Sequence, residues 1–594
     1  MDKKNKINQK EVGKWGASYK SDIMPRVQKD LINAVNSNSW TEDMLTKNHL
    51  IIKKIFPQSW ISIQEILEKY KKRDLPASAI VSRVAPSPTW FMHIGNLYVA
   101  LISEKLAHQS NGVFFLRIED TDKKREIDWA SDLIINTLHK YSINEDEWIG
   151  TSWKESWEYW PYKQSERSEI YRAFIIDLLE KWEAYPCFCS DTELDEIRKQ
   201  QEEQKMKTWY YWKWAKWRNA TQDAILKELE NETPFVIRYK SSWDIDKKLI
   251  VNDIIKWNVQ FPENDLDIVI MKQDWLPTYH FAHVVDDHLM WTTHVIRGDE
   301  WLPSTPLHMQ LFKTMEWEAP IYAHMPPIQK IDDGNKRKLS KRKDPEASVL
   351  YYDEKGYPKE AILEYLLNLA NPNFEDWRKA NPNDDIKEFT LQVKNLPTSG
   401  WALLDGVKLD NISKNVIARF DAEKIYQEYV EWAQKYDKEM VDIIGRYPEY
   451  LKSILNIERE GGKARKDIWK LSDIKDYVSY FFDELSSLDK NAILSENTEF
   501  DKVEVKNILD GFLQTYAIED DKDLWFEKIK ILCDQIGFAK TMKEYKHDPS
   551  LYKWSIVDVM NIIRLFLTWK KTGPDLFPIM NILWYEKVND RLSI

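Results

Sequence analysis

Glycine is scarce in this chain, with 16 glycines in 594 residues against 28 tryptophans. An ordinary chain carries about 7% glycine, and tryptophan is normally much the rarer of the two. Cysteine is nearly absent. Cys187, Cys189 and Cys533 are too few for a disulfide framework, so a reducing cytoplasm is the expected compartment. No apolar run reaches the roughly 18 residues of a membrane span. The opening MDKKNKINQKEVGKWG has no apolar centre and does not read as a secretory signal. Positive charge is not in excess. A net charge of −12 excludes a globally basic nucleic-acid binder, but not local cationic patches of the kind that contact phosphates. What is present is a long chain, 43% hydrophobic, enough for several cored domains at roughly 150 residues each.

The most organised stretch is 79–122, AIVSRVAPSPTWFMHIGNLYVALISEKLAHQSNGVFFLRIEDTD. Residues 79–84 form an apolar run of strand length. A loop containing Pro86, Ser87 and Pro88 follows, and His93, Ile94, Gly95 and Asn96 lead into a helix expected over 97–108. A second apolar run, 113–118, ends in Glu119, Asp120 and Asp122. Strand, loop, helix, strand predicts a parallel βαβ unit whose ligand binds at the carboxyl ends of the strands. A helix that starts after a glycine-containing loop offers backbone N–H groups and a positive dipole end to an anion. His93 and Asn96 add side-chain donors there, so the expected guest is a phosphate.

HIGN resembles the HIGH signature of class I aminoacyl-tRNA synthetases, and the string RVAPSPT, HIGN, RIEDTD is similar to the glutamyl-tRNA synthetase family in particular. The resemblance extends over about 79–594. It is carried also by the segment from Pro277 through His294 to Glu300, and by NKRKLSKRK at 335–343, which resembles the KMSKS loop. Taken alone, those six basic residues would read as a solvated charge run. The final SIVDVMNIIRLFLT and GPDLFPIMNILWYEKVNDRL look like anticodon-binding helices. The family implies an α/β fold: a Rossmann-like parallel-sheet catalytic domain split by an acceptor-binding insertion, followed by an all-α C-terminal anticodon-binding bundle. On this chain that gives an N-terminal extension at 1–78, the first catalytic half at 79–159, the acceptor-stem insertion at 160–275 and the second catalytic half at 276–328. The KLSKR loop and stem-contact region then covers 329–404, and the anticodon-binding region 405–594.

Local patterns fill in the rest. Residues 61–70 have an amphipathic helical period inside an extension that reads as a solvated appendage. Residues 129–141 predict an amphipathic helix, Ser165 is a candidate N-cap for a helix over 170–182, and 266–271 reads as a strand that returns the chain to the nucleotide fold. Gly461-Gly462 and Thr572-Gly573-Pro574 read as helix breakers. Cys187 and Cys189 invite a zinc reading. The following 210–218 segment supplies no cysteine or histidine, and a structural zinc normally takes four N or S ligands, so two structural thiols and no structural zinc are expected. His280, His283 and His288 are close in sequence, but mixed helix faces account for them without a metal.

The resemblance implies a two-step reaction: ATP-dependent activation of glutamate to glutamyl-adenylate, then transfer to tRNA-Glu, with tRNA-Gln a further acceptor to be tested. Mg²⁺ would arrive with ATP. His93, Asn96, Lys338, Lys341 and Arg342 would carry the chemistry. Arg83, Ala85, Ser87, Glu119, Tyr279, His283 and Arg297 would line the amino-acid site, with Arg297 on the side-chain carboxylate and Glu119 on the ammonium. His93, Gly95, Asn96, Glu300, Trp301, Leu339 and Lys341 would contact ATP. His283 departs from the family, where many relatives carry Asn. A cytoplasmic monomer with no membrane association is expected. The rival reading is a non-catalytic tRNA-binding paralogue.

The tryptophan excess has a pattern. Trp90, Trp160, Trp275, Trp291 and Trp569 stand where the family carries glycine, while Trp301 fits the family as it is. Tryptophan and glycine together number 44, an ordinary glycine share of about 7%. One reading is that many of these are glycines in the native protein, from a codon such as UGA. The other is a tryptophan-rich chain.

Overall fold

In the computed structural model, which describes residues 42–58, 60–88, 91–122, 129–148, 158–242, 246–398, 402–459, 464–485, 490–496 and 501–594, the expected βαβ unit is present. Strands β1 (Val81–Val84) and β2 (Val113–Leu116) pair in parallel from Val81 opposite Val113 to Val84 opposite Leu116. The helix Ile94–Gln109 joins them. All of β1 and most of β2 are buried, as the continuous apolar runs of a parallel strand require. The helix starts earlier than its hydrophobic period suggests because His93 is its N-cap: the ring Nδ1 accepts from the Gly95 N–H at 2.9 Å. Gly95 and Asn96 therefore lie inside the first turn, and their N–H groups point to His93 rather than outward, Asn96 N–H donating to the His93 carbonyl at 2.8 Å.

Nine further strands are described: β3 (Ala184–Cys187), β4 (Val236–Tyr239), β5 (Lys248–Asp253), β6 (Trp257–Pro262), β7 (Val269–Met271), β8 (His294–Gly298), β9 (Ile321–Met325), β10 (Gln329–Asp332) and β11 (Asn335–Lys338). β8 and β9 are parallel, β5 joins β9 in parallel at Asp253 opposite Tyr322, and β6 folds back on β5. Thr293, just before β8, bridges to β1. Its N–H donates to the Val81 carbonyl at 3.0 Å, and its Oγ1 accepts from the Val81 N–H at 2.8 Å. The parallel elements are thereby laid side by side with the ends of β1, β2 and β8 on one edge.

Several expectations change. The stretch 248–262, placed in the insertion, forms β5 and β6 and widens the sheet that holds β8 and β9. The strand expected at 266–271 is shorter, and as β7 it pairs antiparallel with β4 of the insertion. Ser165 caps no helix. It sits inside the short 3-10 turn Gln164–Arg167 and binds Asp120 through its N–H (2.8 Å) and Oγ (2.6 Å). Of the N-terminal extension, residues 42–58 and 60–78 are not an appendage. Ile51, Ile55, Phe56, Ile66 and Tyr70 are buried in the core shared with the insertion and the helix Tyr279–Leu289. Arg73 grips Glu147 bidentately at 2.6 and 2.8 Å.

The chain forms two compact units. One comprises residues up to Ala347 with Leu369–Ala380 and Asp385–Leu404; the other comprises Ser348–Asn368, Asn381–Asp384 and Asp405–Ile594. The second unit is helical, its core built by elements such as Ala422–Tyr436, Lys502–Thr515 and Ile556–Thr568. The breaker at 572–574 lies between its last two helices, Ile556–Thr568 and Leu576–Leu592. Gly461-Gly462 and Trp90 lie outside the described residues.

Candidate active site

The ends of β1, β2 and β8 open onto a cavity of about 300 Å³. Arg83, Ala85 and Ser87 reach it from β1 and the loop beyond, Asn96 from the first turn of the helix Ile94–Gln109, and Glu119 from the end of β2. Tyr279 opens the helix Tyr279–Leu289, Arg297 comes from β8, Glu300 and Trp301 from the 3-10 turn after it, and Lys341 from the basic loop. The two motifs quoted from distant parts of the chain thus share one cleft.

At one end Arg83 and Glu119 line the cavity, backed by the buried Arg117 and Asp287. Arg83 is held by Asp287, with Nε 3.2 Å from Oδ1 and Nη2 3.3 Å from Oδ2. Arg117 donates to the same Asp287 at 2.7 Å and to Glu119 at 3.3 Å. Burial pushes Asp287 up, but Arg83 and Arg117 outweigh it and hold the carboxyl below its usual value. Its neighbour Asp286 accepts from Arg167, Gln164 and Tyr171 at 2.7, 2.8 and 2.8 Å. One acidic dipeptide on a buried helix thus anchors three arginines. Such a network is costly to break, because losing one partner strands a charge away from water. Glu119 has a side chain 9% exposed. Burial raises it to about 7 against the opposing pull of Arg117 and Arg83.

Arg297 is positioned through imidazoles. Its Nε donates to His324 Nε2 at 2.9 Å, and His324 Nδ1 lies 2.6 Å from Asp253 Oδ2. That fixes the tautomer: the proton is on Nδ1, facing the acid, and the Nε2 lone pair faces the guanidinium. Arg297 Nη1 reaches Tyr279 Oη at 3.4 Å and His308 Nδ1 at 3.3 Å, and Nη2 donates to Thr305 Oγ1 at 3.0 Å. His280 lies behind, its Nδ1 hydrogen-bonded to His308 Nε2 at 3.0 Å. Burial, followed by the nearby Arg297, lowers His280 to about 4 and His283 well below its ordinary value. His308 is likewise well below, through burial, then His283 and Arg297. These rings are neutral acceptors, not cations competing with the arginine.

His283 does not line the cavity. It is fully buried behind Tyr279 and Arg83, its Nε2 3.2 Å from Tyr322 Oη. His288 faces elsewhere, stacked on Trp317 at 3.9 Å. Among the described residues no group of three or more His, Cys, Asp or Glu gathers as a metal cage. Cys187 and Cys189 both lie against Tyr210 Oη, at 3.4 and 3.5 Å.

The other end of the cleft is cationic. β10 and β11 form a hairpin that delivers Leu339, Ser340 and Lys341. Arg337 does not face substrate space. It clamps Asp344 bidentately at 2.6 and 2.8 Å, and Asp344 also accepts from the Ser340 N–H at 2.8 Å. Lys341 lies over the Phe91 ring at 5.6 Å, and Lys338 pairs with Glu300 at 3.2 Å. Leu339 is buried, and its backbone hydrogen-bonds the His93 ring. Burial and then the charges of Lys341 and Lys338 bring His93 down to about 4. Arg342 is exposed and lies outside the cavity lining.

A parallel nucleotide fold whose helix N-terminus and basic hairpin meet over one cleft is the architecture of a class I aminoacyl-tRNA synthetase. Residues 79–396 match the family described as tRNA synthetases class I (E and Q), catalytic domain, and the chain belongs to that family. Among its relatives, the glutamate–tRNA ligase of Clostridium perfringens (strain 13 / Type A) is 45% identical over 538 residues, 91% of this chain and 98% of that protein. That of Acetivibrio thermocellus is 45% identical over 524 residues, 88% and 95% of the two chains. The crystal structure of a glutamate tRNA ligase from Elizabethkingia meningosepticum, in complex with its amino acid, superposes with a TM-score of 0.69 at 26% identity, covering 86% of this chain and 98% of that one.

Sequence reasoning missed Asp287, Asp253, His324 and Arg117. For two of them a signal was available. Asp286-Asp287 is an acidic pair within an otherwise apolar helical run, which demands buried cationic partners, and Arg117 stands in the RIED string itself. His324 and Asp253 carry no local signal, because they meet only through the pairing of β5 with β9.

Proposed function

We propose that this chain ligates L-glutamate to tRNA-Glu in two steps within this cleft. In the first, the glutamate α-carboxylate attacks the α-phosphorus of ATP, the bond to the β-phosphate oxygen breaks, and pyrophosphate leaves. In the second, a terminal ribose hydroxyl of the tRNA attacks the activated carbonyl, its proton is lost, and AMP leaves. A carboxylate is a weak nucleophile and the phosphorus is ringed by negative oxygens, so alignment and charge stabilisation carry the rate.

Arg297, with Tyr279 beside it, takes the side-chain carboxylate, and Arg83 adds a second positive centre. Glu119 takes the α-ammonium, and Ala85 and Ser87 complete the wall. Asp253 and His324 act on Arg297 as positioning residues. Asn96 meets the phosphates, and His93, neutral and with both ring nitrogens engaged by Gly95 and the Leu339 backbone, ties the helix start to the basic loop beside them. Lys341 and Lys338 stabilise the departing pyrophosphate, with Arg342 at the outer edge of the loop. Glu300 and Trp301 border the nucleotide, while Gly95 and the buried Leu339 sit behind, each against His93. Mg²⁺ enters as the counter-ion of ATP, where it neutralises phosphate charge. The stretch 160–275, apart from the hairpin that joins the central sheet, would take the acceptor end of the tRNA, and the helical unit the anticodon.

The observation that carries this reading is the joint presence of Arg83, Arg297 and Glu119 with Asn96 and Lys341 around one cavity. It is supported by relatives that are glutamate–tRNA ligases. Glutamate-dependent exchange of pyrophosphate into ATP, run with and without tRNA, is the test. Exchange supports the enzyme, and its absence in a folded chain that binds tRNA favours the non-catalytic paralogue. Charging of purified tRNA-Glu and tRNA-Gln then separates a strict ligase from one that also misacylates tRNA-Gln.

A further inference from the structure

Fourteen non-glycine residues are described with a left-handed backbone, and seven of them are tryptophan: Trp182, Trp212, Trp257, Trp275, Trp291, Trp569 and Trp584. Positive φ is uncommon in any non-glycine residue and is favoured only by small polar types such as Asn and Asp. Aromatic bulk does not explain the bias. Phe and Tyr number 21 and 28 in the chain, and among the described residues neither contributes a single case. Glycine itself contributes three, Gly334, Gly356 and Gly537.

The local settings are those glycine ordinarily fills. Trp569 (φ 46°, ψ 17°) ends the helix Ile556–Thr568 in the αL cap, its N–H reaching back to the Leu565 carbonyl at 2.7 Å. Trp182 and Trp291 sit just past the ends of Ser168–Glu180 and Tyr279–Leu289. Trp275 closes a turn onto the Lys272 carbonyl at 3.1 Å. Trp584 interrupts Leu576–Leu592 at φ 65°, ψ 160°, a region entered almost solely by glycine. Burial does not compensate for the backbone at three of the sites: Trp212, Trp257 and Trp584 are 50%, 69% and 65% exposed. Trp301, Trp317 and Trp525 behave differently. They have ordinary backbones and pack on Tyr279, His288 and Phe577. Three of the left-handed residues, Trp275, Trp291 and Trp569, are also positions that the family resemblance assigns to glycine. Trp160, another such position, is not left-handed, and this geometry does not speak for it.

We infer that the polypeptide made in its source cell carries glycine at these seven positions, encoded by UGA, which differs from the glycine codon GGA in its first base alone. The inference is independent of the reaction assigned to the cleft.

Three measurements test it. Read in the gene, the seven codons are expected to be UGA, with UGG at Trp301, Trp317 and Trp525; UGG at the seven overturns the proposal. Peptide masses of the protein purified from its own cells are expected to carry glycine at all seven sites, and tryptophan masses there overturn it equally. In a host that inserts tryptophan, the chain as written is compared with one carrying all seven Trp→Gly changes. The glycine form is expected to have the higher thermal midpoint, and a midpoint that is unchanged or lower counts against the idea.

Discussion

His324 Nε2 accepts from Arg297 Nε at 2.9 Å while its Nδ1 faces Asp253 at 2.6 Å, so an acid with no place in the cavity lining sets the direction of the guanidinium that meets substrate. In Asp253→Asn the amide can donate where the carboxylate accepted, and the imidazole is free to take the wrong tautomer. The glutamate KM in pyrophosphate exchange is expected to rise about tenfold, or about 1.4 kcal/mol, with kcat reduced less. Arg297→Met removes the carboxylate partner itself and should cost about 100-fold in kcat/KM, in line with the loss of a charged, buried hydrogen-bonding partner. Unchanged glutamate kinetics in Arg297→Met would remove that residue from substrate selection.

Glu119 gives the cleft a pH response. Burial raises it to about 7, against the pull of Arg117 and Arg83, and only its ionised form can hold an ammonium group. The kcat/KM for glutamate is therefore expected to fall as pH drops below about 7, approaching tenfold per unit. In Glu119→Gln the overall value is lower and the inflection disappears. Folding responds in the opposite sense. Between the ordinary carboxyl value and about 7 the folded chain keeps a proton that the unfolded chain has released, so this group's contribution to stability declines as pH rises through that window. A pH profile in which Glu119→Gln keeps the wild-type inflection would assign the titration elsewhere.

Asp287 is the shared partner of Arg83 and Arg117, and both sides are buried. Asp287→Ala strips Arg83 of its carboxylate partner and leaves Arg117 with only the longer contacts to Glu119 and Asp286. A loss of about 3–5 kcal/mol is expected, seen as an earlier denaturant midpoint of the catalytic unit. A smaller loss would mean that water reaches the arginines.

What could be read in the chain was whatever is encoded locally. The βαβ unit was legible because 79–84 and 113–118 are mainly apolar runs of strand length, and the basic loop because six of its charges fall within 336–343, although its start as the hairpin strand β11 was not. The start of the helix after β1 was misplaced because a histidine cap satisfies the first turn, and hydrophobic periodicity does not report capping by an imidazole. The pairing of β5 with β9 was invisible, since strand partners far apart in sequence leave no pattern in either strand, and with it went the approach of Asp253 to His324. The burial of 42–58 was missed for a related reason: Ile51, Ile55 and Phe56 look unremarkable until a partner surface exists.

Acid should loosen the catalytic unit. Burial lowers His288 and His294 to about 4, and burial with neighbouring cations does the same for His93 and His280. Below the ordinary imidazole value the unfolded chain binds protons that these folded rings refuse. Their contribution to stability is complete above about pH 6.5 and declines as pH falls toward 4. The thermal midpoint is expected to drop between pH 7 and pH 5. His288→Phe, which keeps an aromatic ring against Trp317, should reduce that drop without affecting glutamate KM. A midpoint independent of pH over this interval would mean that the rings are not held neutral.

Lys341 and Arg337 belong to the same basic run but have different tasks, and their variants should separate them. Lys341 borders the cavity with Asn96, and desolvation in the cleft lowers its ammonium below the ordinary lysine value. A point charge so placed is worth most when negative charge builds on the leaving pyrophosphate. Lys341→Ala is therefore expected to cut kcat for exchange about 100-fold or more, with little change in glutamate KM. Arg337 is turned toward Asp344 and Asp332, so Arg337→Ala acts by releasing the hairpin. Both ATP KM and kcat should worsen, and proteolysis within 329–344 should become faster. Equal kinetic signatures for the two variants would show that the loop acts only through its summed charge.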